Sequence, residues 1–198
     1  MQLFNNGCLI CDSDAQNLVM KTCCAGTTYN GIHRFHLFPL VRFQSDSLCK
    51  SLNEKQSWIK LDDNKYKFLS FISNASLLKQ YVAACYQNNV SVRCLFIESE
   101  YSEELCPNIP ICRRFLGYEV SEIPFSEMTL SDLYCNERFE SYRTLLNENG
   151  LFSNERDAYD FKTEYKALLE QDLVGDGNVD VYVCAVYEVD VEAFLSQF

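Results

Sequence analysis

Apolar positions alternate with polar ones in some stretches of this chain and recur every three to four residues in others. The two periods divide it into strands and helices. The strongest strand pattern is 179–189, where both parities are apolar through Val181, Tyr182, Val183, Cys184, Ala185, Val186 and Tyr187. A strand with no polar face belongs in the middle of a sheet, covered on both sides. A second strand is read over 113–120, in Arg113-Arg114-Phe115-Leu116-Gly117-Tyr118-Glu119-Val120, and two more over 65–73 and 90–98. Leu77, Leu78, Tyr81, Val82 and Cys85 form one apolar stripe, which predicts a helix over 75–88. Ala158, Phe161, Tyr165, Leu168 and Leu169 form another, predicting a helix over 154–171 capped by Ser153 or Asn154. Thr129-Leu130-Ser131-Asp132 has the form of a capping box, so a third helix is expected over 131–147, stopped by Asn149-Gly150.

The N-terminal third is less regular. Asn6-Gly7 reads as a turn, with Cys8-Leu9-Ile10-Cys11 after it as a short strand or loop. Phe35, Leu37, Val41 and Phe43 share one parity over 32–43, and Pro39 among them makes that stretch an edge or bulged strand. Loose helical spacing covers 45–58, and a short helix is placed over 191–198. Strand, helix and strand over 65–98 with short connections suggest a crossover unit. The fold class read from this order is α+β: one compact domain over 1–198, or one core with an N-terminal subdomain over 1–60. It should hold a mixed β-sheet of 65–73, 90–98, 113–120 and 179–189 with helices packed against it.

Composition changes this picture in three places. A hydrophobic content of 47% in 198 residues supports a packed core and argues against disorder. No apolar run is long enough to cross a bilayer, and residues 1–7 lack the basic region and apolar core of a signal peptide, so a cytoplasmic protein is expected. Eleven cysteines, an odd number without a secretion signal, are read as reduced thiols packed as small hydrophobes.

Charge is uneven along the chain. Residues 1–99 carry 10 Lys and Arg against 7 Asp and Glu, a net of +3, whereas 100–198 carry 7 against 21, a net of −14. The overall −11 argues against nucleic-acid binding, which needs cations to displace phosphate counterions. It fits either a solvated surface or an electrostatic face for a basic partner. Such a face is expected from two acidic stretches, with Glu100, Glu103, Glu104, Glu119 and Glu122 as its charges. Tyr101, Tyr118 and Phe125 are its candidate aromatic anchors.

Catalytic and metal chemistry have thinner support. Cys8-x2-Cys11 has the spacing of a zinc knuckle, and Cys23 and His33 are the next candidate ligands, but Cys23-Cys24 are adjacent and His33 and His36 sit at strand spacing. Either histidine with Cys23 or Cys24 is the one nucleophile–base option for a Cys/His hydrolase, without a surrounding signature. Asp176-Gly177-Asn178-Val179-Asp180 starts like a calcium loop but places its glycine wrongly and has Tyr187 where the bidentate Glu belongs. No phosphate-binding, dinucleotide, zincin or nucleophile-elbow motif occurs, so neither a cofactor nor an enzymatic activity is expected.

Three pieces in one order carry a resemblance: the strand Arg114-Phe115-Leu116-Gly117-Tyr118-Glu119-Val120; Leu146-Asn147-Glu148-Asn149-Gly150-Leu151-Phe152 closing a helix; and Asp157-Ala158-x-x-Phe161 leading to Val181-Tyr182-Val183-Cys184-Ala185-Val186-Tyr187. That order resembles small bacterial immunity proteins of polymorphic toxin systems and related α+β proteins, over about 112–190. Ser121-Glu122-Ile123-Pro124-Phe125-Ser126-Glu127-Met128 stands where those proteins often have a stretch rich in Ser, Asn and Gly. The resemblance implies a non-enzymatic protein that binds and blocks a partner, such as a basic toxin domain. It assigns no site residue.

Overall fold

The computed structural model describes residues 2–12, 75–87, 92–101, 112–122, 133, 136–175 and 180–196. In chain order they form β1 (Phe4–Asp12), α1 (Ala75–Gln87), β2 (Val92–Ser99) and β3 (Arg113–Glu122). A 3-10 turn (Glu137–Phe139) then runs into α2 (Glu140–Arg143), followed by α3 (Glu155–Leu169), β4 (Val181–Val189) and α4 (Val191–Ser196). The architecture is α+β, a sheet with helices, as the periodicity predicts.

The sheet order among these strands is β1-β2-β4-β3. The doubly apolar strand lies inside the sheet, and Val183, Ala185, Cys184 and Val186 are all buried, two on each face. Every pairing between described strands is antiparallel, where a mixed sheet was expected. The crossover reading needed 65–73 as a parallel neighbour, and that stretch lies outside the described residues, as do the readings over 32–43 and 45–58.

α3 lies over the face that carries Val120, Val181 and Val183, burying Ala158, Phe161, Tyr165 and Leu169 in one cluster with Phe139 and Phe152. Phe161 is its hub, with ring centroids 5.1 Å from Phe139, 5.2 Å from Tyr142 and 5.5 Å from Phe152. The helix begins where Asn154 Oδ1 accepts from Asp157 N–H at 3.0 Å, satisfying an otherwise orphaned donor of the first turn.

Two local readings are corrected. Asn6-Gly7 is no turn: it is a bulge inside β1, where the pairing shifts between Asn5 and Gly7 and Gly7 takes a φ of 125°. The helix over 131–147 is not continuous: within its described part Leu133 is helical, Asn136 is not, and the chain then makes a 3-10 turn and the four residues of α2, while 131–132 and 134–135 lie outside the described residues. Asn136 starts this segment by accepting from Arg138 N–H, and Arg143 donates back to the carbonyls of Leu133 and Asn136. After Arg143 the backbone has better partners than a further helical turn: Asn147 N–H donates to Leu151 O at 2.8 Å, and Leu146 bridges to Phe152. Gly150, read as a helix stop, holds its left-handed φ of 69° inside this turn instead.

The turn at 146–152 is docked on the outer edge of β3. Tyr118 and Phe152 exchange both backbone hydrogen bonds, at 2.9 and 2.8 Å. Asn147 Oδ1 accepts from the N–H groups of Asn149 and Leu151, while its Nδ2 donates to Leu116 O at 2.7 Å. One side chain thereby ties the turn to the strand at the point where β3 is irregular.

Candidate functional site

That irregularity builds the site. In a regular strand residues three apart point to opposite faces. The β3–β4 pairing shifts between Phe115 and Gly117, so that Phe115 stands opposite Tyr187 and Tyr118 opposite Ala185, both on the α3 side of the sheet. The bulge brings Phe115 and Tyr118 together, with ring centroids 5.0 Å apart, and Phe115 lies 5.4 Å from Tyr187. Gly117 is required there: its φ is +148°, and an added Cβ would lie 2.6 Å from Leu151 Cβ and 2.9 Å from Phe152 O.

Phe115 is 44% exposed, although it is the centre of this aromatic group. Its neighbours are held firmly. Arg113 lies with its guanidinium 4.5 Å from the Phe96 ring centre and 4.3 Å from that of Tyr187, and donates to Glu98 Oε1 at 2.6 Å. Tyr187 Oη donates to Glu98 Oε2 at 2.8 Å. Burial and that bond push the Tyr187 phenol up to about 12. The phenol of Tyr118 is raised by burial and then by the charges of Glu155 and Glu98. The surface is therefore a rigid aromatic platform on strands, half open to solvent, with carboxylates at its rim.

The carboxylates expected to face a partner divide sharply. Glu100 lies just past β2 and is occupied internally: its carboxylate accepts from Lys162 Nζ at 2.5 Å, Tyr159 Oη at 2.7 Å and Val183 N–H at 2.8 Å. Burial opposes its charge, yet those hydrogen bonds outweigh burial and hold its pKa below the usual range. This replaces the expected role of Glu100 as a contact residue, because its charge closes the sheet end against α3. Glu119 is corrected too. At 7% exposure it is buried, opposite Cys184, whose thiol is pushed well up by burial and then by the Glu119 charge. Tyr101 lies edge-on to Tyr182 at 5.5 Å and is partly covered. Of the two expected anchors among the described residues, Tyr118 stands on the open platform. Glu122 belongs to β3, whereas Glu103, Glu104 and Phe125 lie outside the described residues.

On the opposite face a second carboxylate, Glu188, accepts from Arg93 at 2.7 and 3.0 Å and from Arg114 at 2.5 Å. Burial opposes its charge as well, and the Arg114 and Arg93 bonds lower its pKa. Three glutamates of the acidic stretches and β4, Glu98, Glu100 and Glu188, are thus matched by cations of this chain.

The zinc candidates do not form a knuckle at Cys8 and Cys11. Both belong to β1, opposite Phe96 and Arg93, with extended backbone where a knuckle needs a turn, and Cys8 is buried. Cys23, Cys24, His33 and His36 lie outside the described residues. Among the described residues no three His, Cys, Asp or Glu side chains gather to hold a metal ion, and no helix is long and apolar enough to cross a membrane.

Phe115, the most open ring of the platform, was passed over in the sequence because it lies three residues from Tyr118 and regular alternation separates them. The signal was the glycine between them. No family model matches the chain, and neither the curated proteins nor the solved structures return a match.

Proposed function

We propose that this chain is a cytoplasmic, non-enzymatic binding protein that occupies and blocks a basic protein partner, in the manner of an immunity protein neutralising a toxin domain. The observation that carries the reading is Phe115, a large apolar side chain 44% exposed at the centre of rings fixed on paired strands. Aromatic residues and arginine supply most interface energy when they are held in place before binding. Arg113, held between Phe96 and Tyr187, meets the same condition. The net charge of −11 favours a cationic partner and speeds its approach.

The test is capture of partners from the native host, identification by mass spectrometry and measurement of association rates against salt. Charge reversal belongs at Glu103 and Glu104; Glu100→Lys would break an internal ion pair and report on folding. A basic partner whose association slows with salt and with Glu103→Lys/Glu104→Lys is expected. A partner with no excess of Lys and Arg, or an association rate indifferent to salt, refutes the reading.

A further inference from the structure

Resting on that reading, we infer that the open side of the Phe115–Tyr118 pair receives one arginine side chain of the protein partner, laid on the rings and neutralised by Glu155. Four observations converge. The rings of Phe115 and Tyr118 lie at 5.0 Å and 65°, offering a face and an edge together, and Phe115 is open to solvent. The platform already holds one guanidinium: Arg113 sits 4.3 Å from the Tyr187 ring centre. Its charge is matched by Glu98 at 2.6 Å, so that pair leaves little field of its own.

Glu155 is different. It is the first residue of α3, and Tyr118 joins that helix entrance through its backbone bridge to Phe152. Its charge reaches the Tyr118 phenol. Among the described residues Glu155 forms no ion pair, unlike Glu98, Glu100 and Glu188. An aromatic face within the field of a carboxylate that no described cation pairs attracts a cation through both the ring quadrupole and the charge. A planar guanidinium can stack on one ring while donating to the carboxylate, which a compact ammonium does less well.

The probe is a blocked pentapeptide, Gly-Leu-Arg-Leu-Gly, with a second version carrying citrulline in place of arginine, which keeps the shape and removes the charge. Ring resonances of the intact protein, labelled at Phe and Tyr, are followed by NMR as each peptide is added. Saturable shifts at Phe115 and Tyr118 with the arginine peptide are expected, at least tenfold weaker with citrulline. Phe115→Ala and Glu155→Gln should each weaken binding at least fivefold, and both positions are exposed or partly exposed, so folding is checked by the unchanged methyl spectrum of the core. Equal binding of the citrulline peptide, absence of shifts at these rings, or unaltered binding to both variants overturns the inference. If a captured basic protein binds Phe115→Ala and Glu155→Gln as tightly as the parent, this site is wrong and the binding function stands. If the arginine peptide binds here but no basic protein partner exists, the site stands and the proposed function falls.

Discussion

Replacing Gly117 by alanine loads the bulge of β3 in two ways at once. At a φ of +148° an alanine is strained, a cost of about 1–3 kcal/mol for a sparsely populated backbone region. Its Cβ would also lie 2.6 Å from Leu151 Cβ, 2.9 Å from Phe152 O and 3.0 Å from Asn147 Nδ2. Two of these neighbours are backbone or backbone-attached and cannot swing aside, and overpacking of this kind costs about 1–3 kcal/mol. Relieving the overlap means moving the 146–152 turn, which strains the Asn147 hydrogen bond to Leu116 O, worth roughly 1 kcal/mol. Since strain and overlap relax together, about 3 kcal/mol is expected, a fall in Tm of roughly 6–12 °C in a chain of this size. Urea unfolding should show a lower midpoint at unchanged slope. Gly175→Ala is the comparator: its φ is +60° and its close neighbours are the side-chain ends Leu169 Cδ1 and Tyr165 Oη, so about 1 kcal/mol is expected. A Gly117→Ala protein melting within about 2 °C of the parent would refute the account of the bulge, and with it the reason Phe115 and Tyr118 meet.

Removal of Lys162 should cost more alone than in company. Lys162→Met strands the Glu100 carboxylate and should lose about 1–3 kcal/mol, while adding Glu100→Gln recovers part of that; additive urea midpoints would contradict the pairing. The carboxyls of Glu100 and Glu188 are held below the ordinary glutamate range, so their contribution is whole above that range and is lost as pH falls through it and below. Glu100→Gln should flatten the acid limb of stability against pH, and an unchanged limb would count against the Glu100 cluster. The phenols of Tyr187, Tyr159 and Tyr142 are raised by burial and by hydrogen bonds to Glu98, Glu100 and Glu164, so their contribution is whole below pH about 10 and lost above it. Absorbance near 295 nm should show a late tyrosinate phase coinciding with loss of structure; one uniform transition near the free phenol value would refute those bonds.

Much of the sheet was legible because burial on both faces leaves no polar parity, which is why 179–189 could be placed inside it from composition alone. α3 was legible for the complementary reason: its apolar stripe and its Asn154 cap act locally. The C-terminal end of the 131–147 helix was misread because apolar spacing is a local preference, and tertiary partners overrode it after Arg143. Leu146 and Asn147 gain more from Phe152, Leu151 and the bulge of β3 than from another helical turn. The charges of Glu98, Glu100 and Glu188 were legible as acidity, whereas their partners were not. Lys162 is far from Glu100 in sequence, and only the register of β2 on β4 and the seat of α3 bring them together. Glu119 failed for a simpler reason, since alternation along a bulged strand cannot be counted through the bulge.

The place of β4 between β2 and β3 also sets a timetable. β2 and β3 are both synthesised before the strand that joins them, and Tyr187 meets Glu98 across 89 residues. Contacts so distant in sequence form slowly. Until Val181–Val189 has left the ribosome, β2 and β3 each lack a neighbour on one edge, and β4 itself is an almost uncharged, strand-forming segment. Synthesis stalled before Val189 should therefore yield a nascent chain dependent on holding chaperones, whereas a chain extended past β4 hides that segment between β2 and β3.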